Sequence, residues 1–349
     1  QQLTVPVSGT SPEPTILAQP LPATWGGEIN GVIFRFACGD AADPGAVHWS
    51  NGNDPDAGSD ANWLSVTSAS EPLQHGGIYN NRPFVFSSEH LYVLEPSFGQ
   101  VNTFRALRTP CNKGLKVSRW AFCVGPEGIF FRAEDGIYLT AGGSPAVCLT
   151  NPDLSPLFPR DGVPGETTRG MVPPNDTKPT RHRLTYVAGV VYYDYLGTDG
   201  NDYTLLYNTR TQGWLFDQYQ ASGIRTRLSE PGRAVQAQLL GAENGNLYDY
   251  DETALLDGAT PINWDVWTPQ VDAGDPRIVK QFGDVILDCH PGSSLNGFTI
   301  TPVVDNGLTL LASVVGAAGT TRTQFVVDLN SGDGVLTRNL GLRIAASSD

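Results

Sequence analysis

The 349-residue sequence predicts an all-β protein, with a β-propeller-like domain of antiparallel meanders followed by a C-terminal β-sandwich-like domain. Three observations predict this fold class. The 39 glycines and 26 prolines are spread along the chain and cut its 40% apolar residues into short pieces, which excludes long helices. Short runs of β-branched and aromatic residues alternate with turn residues. Finally, this hairpin unit returns after about 40 residues, as the blades of a propeller do.

The first segment, residues 1–24, carries five prolines and shows no sustained alternation of apolar and polar residues. Such a stretch is typical of an extended arm that gains its order from a neighbouring molecule. We therefore predict an extended N-terminal arm that ends at residue 24.

The second segment, residues 25–262, contains the recurring hairpins and has room for about five or six blades. Asp135 and Gly136 are predicted to form a hairpin turn between two aromatic strands. Trp49, Trp63 and Trp214 are predicted to be aromatic residues that pack between blades. A large β-sandwich has similar strand spacing and is the alternative for this segment.

The third segment, residues 263–349, has few of the aromatic residues that recur in the hairpins of the second segment. Five strands with period-two alternation are predicted at 283–288, 298–304, 308–315, 323–329 and 340–344. Alternation of this kind is typical of a small sandwich with one face in water.

The charge balance limits the classes of partner. There are 22 basic and 36 acidic residues, for a formal net charge of −14, which argues against tight binding of DNA or RNA. An acidic surface does suit a passage through which a polyanion moves without adsorbing. No apolar run reaches the roughly 18 residues of a membrane helix, so no membrane span is predicted.

Motifs that carry catalysis or cofactor binding are not found in the sequence. The spacing of the histidines, which are His48, His75, His90, His182 and His290, fits neither a metal site nor a catalytic motif. The five cysteines form no Cys-x-x-Cys pair and are expected to be reduced thiols. Phosphate-loop, dinucleotide and nucleophile-elbow patterns are missing as well. The sequence thus predicts a protein that is not an enzyme, with no catalytic, metal-binding or cofactor-binding residues.

Two acidic stretches leave an alternative open. They contain Asp54, Asp56 and Asp60 in one stretch, and Asp199, Asn201 and Asp202 in the other. Closely spaced carboxylates are the ligands that Ca²⁺ prefers, yet the glycine and the final glutamate of an EF-hand loop are missing. We expect solvated turns, with a calcium site as the alternative.

The stretch 47–63 invites comparison with the Asp box of sialidase propellers, Ser-x-Asp-x-Gly-x-x-Trp. Ser50 is followed here by Gly52 and Asp54, so the spacing departs from that pattern. The stretch also occurs once, while the sialidase motif recurs from blade to blade. This comparison therefore argues against a glycosidase.

An ordered series of motifs resembles the propeller proteins of tailed bacteriophages. In those proteins a Trp-Ser pair, an Asp-Pro turn and a Trp precede a Gly-containing hairpin, a Leu-Tyr-x-Leu strand and a Gly-Ile-Phe-Phe…Asp-Gly-Ile-Tyr hairpin. The matching residues here are His48-Trp49-Ser50, Asp54-Pro55, Trp63, Gly76-Gly77, and the stretches 91–94, 128–131 and 135–138. Further matches are 206–214, with its Tyr-Asn…Trp pattern, and 280–288, which resembles the strand that opens their final region.

This resemblance implies a virion structural protein in the phage tail. It implies a nozzle, hub or tail-tube subunit near the head-to-tail interface, which forms part of the passage for DNA ejection. The implied partners are copies of itself in a ring-like homo-oligomer, adaptor, portal-proximal, nozzle or fibre proteins, and DNA that passes without specific binding. The alternatives are a carbohydrate-binding, lectin-like propeller and a glycoside hydrolase, which would need carboxylates about 5 to 9 Å apart in a central cleft.

Overall fold

The computed structural model describes residues 25–36, 43–51, 62–97, 103–151, 154–168, 170–218, 224–229, 238–250, 256–257, 260–261, 265–268, 270–275, 277–289, 298–304, 309–310, 314–316, 323–327, 329 and 334–346. The chain divides into two compact units, unit 1 being Gln1–Glu252 and unit 2 being Thr253–Asp349. The domain boundary predicted after residue 262 lies further along the chain than this division. The predicted arm, residues 1–24, lies outside the described residues.

Unit 1 contains, in its described residues, five antiparallel sheets whose strands follow one another in chain order. Sheet 1 consists of β1 Trp25–Ile29, β2 Val32–Phe36, β3 Ala46–Trp49 and β4 Trp63–Ser65, and sheet 2 consists of β5 Leu73–Tyr79, β6 Arg82–Ser87, β7 Leu91–Pro96 and β8 Phe104–Arg108. Sheet 3 consists of β9 Phe122–Gly125, β10 Gly128–Ala133, β11 Gly136–Thr140 and β12 Val147–Cys148, and sheet 4 consists of β13 Arg183–Val187, β14 Val190–Leu196, β15 Asp202–Asn208 and β16 Gly213–Asp217. Sheet 5 consists of β17 Ile224–Ser229, β18 Gln238–Ala242 and β19 Leu247–Tyr250. Two short 3₁₀ helices, Ser155–Leu157 and Pro179–Arg181, lie between sheets 3 and 4.

The first strand of each sheet contacts the first strand of the next. β1 contacts β5, β5 contacts β9, β9 contacts β13, and β13 contacts β17. Consecutive meanders whose first strands meet in chain order are the arrangement of propeller blades around an axis. The predicted fold class, a propeller-like domain of antiparallel meanders, is confirmed.

Tight turns join the first two strands of three of these blades. The two turn residues are Asn30-Gly31 in sheet 1, Asn80-Asn81 in sheet 2 and Ala188-Gly189 in sheet 4, and all six have positive φ. Two successive residues of this kind make a type I′ turn, whose twist matches that of the flanking strands. Asparagine and glycine tolerate this left-handed conformation at low cost, which explains five of the six residues; Ala188 is the exception.

The core of unit 1 consists of layers between successive blades. Trp49 from sheet 1 meets Val85 from sheet 2 in one layer, and Phe86 from sheet 2 meets Phe131 from sheet 3 in the next. Phe130, the neighbour of Phe131, points the other way, into the layer between sheets 3 and 4. Because side chains alternate along a strand, each blade supplies apolar residues to both of its neighbours.

The contact between sheets 4 and 5 has a polar centre. Asp194 on β14 accepts hydrogen bonds from Arg227 on β17, with Nε–Oδ2 and Nη2–Oδ1 distances of 2.9 and 2.8 Å. Thr204 donates to the same carboxylate, and Gln238 donates to the Tyr192 hydroxyl at 2.7 Å. The guanidinium also lies over the Tyr192 ring, 4.4 Å from its centroid. The side chains of Arg227 and Asp194 are only 0% and 5% exposed, so this network is a buried ion pair.

Close approach of the first strands requires glycine at defined positions. A Cβ atom on Gly77 of β5 would lie 2.4 Å from the Phe122 ring of β9, and one on Gly125 of β9 would lie 2.6 Å from the Tyr186 ring of β13. In both cases an aromatic side chain of one blade rests on the bare backbone of the preceding blade. Glycine at these two positions is therefore required for the first strands to pack around the axis.

We expect Gly125→Ala to destabilise unit 1 by about 1–3 kcal/mol, because the added methyl group overpacks against Tyr186. Chemical denaturation followed by far-UV circular dichroism measures the loss. Gly143→Ala is the matched control, since a Cβ there meets nothing within 4 Å. Equal midpoint shifts for the two variants would contradict this account of Gly125.

Unit 2 is built from one larger sheet and shorter strand pairs. Its described strands are β20 Leu256–Asp257, β21 Thr260–Pro261, β22 Asp265–Trp267, β23 Lys280–Phe282, β24 Val285–Cys289, β25 Phe298–Val304, β26 Thr309–Leu310, β27 Val314–Gly316, β28 Thr323–Val327, β29 Val335–Thr337 and β30 Leu340–Ala346. The larger sheet has the order β22-β30-β25-β26, with β27 also paired to β25. β23 pairs with β29, and β24 with β28; these two separate two-stranded sheets are together called the ribbon here.

Apolar side chains fill the space between the larger sheet and the ribbon. Phe298, Ile300 and Leu342 come from the sheet, and Leu287 and Val327 come from the ribbon. Two layers with a shared apolar core make a sandwich, as the alternation in the sequence predicts. Throughout the residues described, no helix is long and apolar enough to cross a membrane.

Candidate axial site

A cavity of about 450 Å³ lies where the first strands of the five blades meet. Its walls include Gly27 of β1, His75 of β5, Cys123 of β9, Thr185 of β13 and Thr226 of β17. Since every blade contributes a wall, the cavity lies on the propeller axis. Its volume is within the range of roughly 300–1,000 Å³ that holds small molecules.

Aromatic rings form one side of this axial cavity. The His75 ring meets Phe122 at a centroid distance of 5.1 Å and Trp120 at 6.0 Å, the latter edge to face. Trp120 lies just before β9 and is held there from two directions. Its amide donates to Ser118 Oγ at 3.2 Å, and its carbonyl accepts from the Leu184 amide at 3.2 Å.

The positive charge of the cavity wall comes from Arg183. Its guanidinium lies over the Trp120 ring, with 5.5 Å between the guanidinium carbon and the ring centroid. His75 adds no charge near neutral pH, since burial lowers its pKa to about 4. Its Nδ1–H donates to the Gly76 carbonyl, which raises the pKa, and the nearby charge of Arg119 lowers it. Among the described lining residues there is no aspartate or glutamate.

The lack of carboxylates in this lining bears on the alternatives. A glycoside hydrolase of the usual kind needs two carboxyl groups on either side of the scissile bond. The described walls of the axial cavity do not supply them. What they do supply is one guanidinium, two threonine hydroxyls and a set of aromatic faces.

The predicted tryptophans occupy different environments. Trp49 is 3% exposed and meets Phe104 edge to face at 5.1 Å, inside the layer between sheets 1 and 2. Trp214 packs against the layer between sheets 3 and 4, and its Nε1–H donates to the Leu149 carbonyl at 3.2 Å. Trp63, by contrast, is 47% exposed on the outer strand β4 and stacks on His48 at 6.4 Å. It stacks on the half-buried His48 ring instead of packing between blades.

Asp135 and Gly136 lie at the turn between β10 and β11, where Ala133 pairs with Gly136. Asp135 Oδ2 accepts a hydrogen bond from Lys113 Nζ at 2.8 Å. A Cβ atom on Gly136 would lie 2.4 Å from Thr150 Oγ1, so a side chain there would displace Thr150. The turn is therefore fixed both by an ion pair and by close packing.

Two other histidines have defined hydrogen-bond partners. His182 is fully buried, and its ring nitrogens contact the Tyr193 hydroxyl at 2.7 Å and the Asn175 carbonyl at 3.0 Å. Burial lowers its pKa, so it is neutral and serves as a hydrogen-bonding core residue. His90 Nδ1 donates to Glu71 Oε1 at 2.8 Å, next to a hydrogen bond from Ser87 to the same oxygen. His290 lies outside the described residues.

The described acidic loop uses its oxygens internally. Asp199 accepts hydrogen bonds from the Asn201 side chain at 2.8 Å and from the Tyr203 hydroxyl at 2.7 Å, and Asp202 pairs with Arg181. No group of three or more His, Cys, Asp or Glu side chains that could hold a metal ion occurs in the described part of the chain. The other acidic stretch, with Asp54, Asp56 and Asp60, lies outside it.

The cysteines that the structure describes with their side chains are free thiols: Cys111, Cys123 and Cys148. Cys123 contributes to the wall of the axial cavity. Cys111 is buried, and burial raises the pKa of its thiol. A raised pKa keeps a thiol protonated and unreactive near neutral pH.

The sequence did not single out the axial residues as a group. Trp120, Arg183 and Thr226 are more than 40 residues apart from one another and share no motif, and the spacing of His75 from the other histidines indicated neither a metal site nor a catalytic motif. A usable signal was present in the glycine pairs Gly26-Gly27 and Gly76-Gly77. Paired glycines inside a strand mark places where another backbone or ring comes close.

Comparisons with known proteins found no matching protein-family model and no matching curated protein. Among the solved structures that are similar at low identity, dihydro-heme d1 dehydrogenase NirN in complex with DHE has 8% identity and a TM-score of 0.37, and the match covers 84% of this chain and 56% of that one. The extracellular domain of a hybrid two component system from B. thetaiotaomicron has 9% identity and a TM-score of 0.37, with coverage of 88% of this chain and 40% of that one. PorZ, a surface component of the type-IX secretion system of Porphyromonas gingivalis, has 13% identity and a TM-score of 0.21, with coverage of 64% of this chain and 32% of that one. This chain thus spans little more than half of the first of these proteins, and less of the others. At such distances the likenesses carry no argument about its activity.

Proposed function

We propose that this protein is a structural subunit of a bacteriophage tail, of the nozzle, hub or tail-tube kind, which assembles with copies of itself into a ring. The observation that carries the assembly role is an exposed apolar face on unit 2. This face, called here the ribbon face, consists of Ile286, Val326 and Leu336, which are 65%, 54% and 73% exposed.

The ribbon face is unusual for the outside of a sandwich. Ile286 and Val326 stand directly opposite each other across β24 and β28. Their neighbours Leu287 and Val327 point into the core of unit 2. Strands that are apolar on both sides are typical of sheets that are buried on both sides, while a wet face normally alternates to polar residues. A second protein surface on the ribbon face would account for this pattern.

The tail context is supported by the order of the motifs along the structural elements. Trp49 of the Trp-Ser pair is the last residue of β3, the Leu-Tyr-x-Leu stretch begins β7, and the Gly-Ile-Phe-Phe and Gly-Ile-Tyr stretches begin β10 and β11. The Tyr-Asn…Trp stretch spans β15 and β16, and residues 280–288 form β23 and most of β24. The net charge of −14 suits a protein beside which DNA passes without adsorbing. No catalytic role is proposed.

We expect the double substitution Ile286→Lys with Val326→Lys to convert the ring into monomers. Two ammonium groups would have to be buried without partners at the subunit contact, which costs far more than the contact gains. Mass photometry measures the masses of the species, and negative-stain images of the wild-type protein should show rings with an axial passage.

Val163→Lys is the control, because Val163 is 58% exposed in a loop of unit 1 and does not belong to the ribbon face. This variant should assemble like the wild type, and circular dichroism should show that all variants are folded. A wild-type protein that stays monomeric at every concentration would overturn the proposal. Selective binding of that monomer on a glycan array would instead favour the lectin-like alternative.

A further inference from the structure

We propose that the ribbon face of one copy packs against the outer strand of sheet 4 in the next copy, so that the ring closes by head-to-tail contacts. The surface on sheet 4, called here the rim face, consists of Leu215 on β16 and Arg210 in the turn before β16. This inference rests on the proposed ring, and it names the second surface that such a ring requires.

A ring of more than two copies needs two different faces on each copy. Two copies that meet through the same face form a closed pair, and no further copy can join them through that face. A head-to-tail contact instead leaves one free face at each end, and a fixed rotation from copy to copy closes the ring. The ribbon face is one of these two faces, so its counterpart lies elsewhere on the chain.

The outer strands of the blades carry exposed apolar residues. In the part of unit 1 that the structure describes, the last strand of each sheet has one exposed large apolar side chain: Trp63, Leu107, Val147, Leu215 and Leu247. The connections that lead into these five strands contain one basic residue, Arg210. On β8 itself, Arg105 pairs with Glu95, and the charge of Arg108 acts on Glu71. The hairpin of Leu215 therefore combines an apolar residue with a cation.

Leu215 continues an apolar row that is buried further inside sheet 4. Tyr192 pairs with Leu206, and Leu206 pairs with Leu215, so the three side chains lie on one face of the sheet. Tyr192 and Leu206 are buried, whereas Leu215 is 63% exposed. An apolar surface of a second copy on Leu215 would extend this row of contacts to the edge of the blade.

The turn between β15 and β16 holds Arg210 beside Leu215. Asn208 Oδ1 accepts hydrogen bonds from the amides of Arg210 and Thr211 at 3.0 and 3.1 Å, and the Asn208 carbonyl accepts one from the Gln212 amide at 2.8 Å. The Arg210 side chain is exposed, and no acidic side chain pairs with it among the described residues. The rim face thus presents a positive charge at a fixed position.

The ribbon face carries the opposite charge near its centre. Asp284 is exposed and lies, along the chain, between Gln281, which pairs with Leu336, and Ile286, which pairs with Val326. No cationic side chain pairs with Asp284 in the described part of the chain. Both faces are therefore apolar with one charge each, and the two charges are complementary. Complementary charges of this kind fix the register of a contact and exclude wrong pairings.

Leu215→Lys should remove the rings at concentrations at which the wild type forms them, because the ammonium group would be buried against the ribbon face without a partner. Val147→Lys is the matched control and should assemble like the wild type. Val147 is 62% exposed on the last strand of sheet 3, and the connection before it contains no charged residue. Mass photometry measures the species, and circular dichroism checks that both variants are folded.

Mixing two variants that cannot form rings tests the head-to-tail arrangement. Leu215→Lys keeps the ribbon face, and Ile286→Lys with Val326→Lys keeps the rim face. Each variant alone should be monomeric, whereas the equimolar mixture should form pairs with one copy of each. Sedimentation velocity, at concentrations well above those at which the wild type forms rings, detects these pairs. A mixture that stays monomeric would contradict the head-to-tail contact.

Exchanging the two charges tests the ion pair between copies. Arg210→Glu and Asp284→Lys should each weaken assembly about two- to fivefold at low salt, which is the usual range for one exposed ion pair. The combined variant should assemble like the wild type, because the pair is restored with its charges reversed. A combined variant as weak as the product of the two single effects would show that the two residues do not meet.

The results for the wild type and for Leu215→Lys separate this inference from the proposed function. A wild type that forms no rings would overturn both. Rings that persist in Leu215→Lys would overturn the role of the rim face and leave the proposed ring intact.

Discussion

Asp194→Ala is expected to destabilise unit 1 by about 3–5 kcal/mol, the usual cost of removing one partner of a buried ion pair. The substitution leaves the Arg227 guanidinium, which is 0% exposed, without its carboxylate. It also removes the acceptor of the Thr204 hydroxyl. Denaturation with guanidinium chloride, followed by tryptophan fluorescence, should show a lower midpoint for unit 1.

Two further variants separate the buried pair from ion pairs in general. Glu134→Ala removes an equally short ion pair, Lys116–Glu134 at 2.7 Å, whose side chains are 51% and 57% exposed. A pair so exposed contributes at most about 1 kcal/mol. Combining Asp194→Leu with Arg227→Met should restore much of the stability lost in Asp194→Ala, because no buried charge is left alone. A loss in Asp194→Ala no larger than that in Glu134→Ala would refute the buried network.

Trp49→Ala is expected to cost about 3–5 kcal/mol, since it deletes a fully buried aromatic side chain and leaves a cavity. Trp49 is 3% exposed and belongs to the layer that joins sheets 1 and 2. Its edge-to-face contact with Phe104 at 5.1 Å is lost as well. The same denaturation experiment measures the effect.

Trp63→Ala is the matched control in the same sheet. Trp63 is 47% exposed and stacks on the His48 ring, so truncation should cost no more than about 1 kcal/mol. The comparison distinguishes a tryptophan that joins two blades from a half-exposed one that stacks on the His48 ring. Similar losses for the two variants would show that sheet 1 packs differently from the arrangement described here.

The sequence could predict the hairpins because their signals are local. Asn30-Gly31 favours a two-residue turn, and the run of β-branched and aromatic residues in 128–132 favours a strand, whatever surrounds them. Trp49 and Trp63 show that local signals do not determine which side chains are buried. Both are aromatic residues at strand positions of one meander, and only the neighbouring blade decides which of them is covered. Exposure depends on packing partners that are distant in the chain.

The axial cavity could not be predicted in the same way. Trp120 and Arg183 belong to different blades and meet because β9 and β13 are neighbours at the axis. Likewise, Asp194 and Arg227 form an ion pair across two blades without any spacing motif. Groups that come together through tertiary contacts leave no periodic trace in the sequence, unlike groups that share a strand or a turn.

The sequence by itself determined the all-β class, the repeating meanders and the sandwich at the C-terminus, since these follow from period-two alternation and turn chemistry. Tertiary structure alone decided the rest. It placed five first strands around one axis, brought Arg183 over the Trp120 ring in the wall of the cavity, and exposed Ile286 and Val326 on the outside of unit 2. The physical reason is that local backbone preferences set each strand, while long-range burial and charge pairing set which side chains meet.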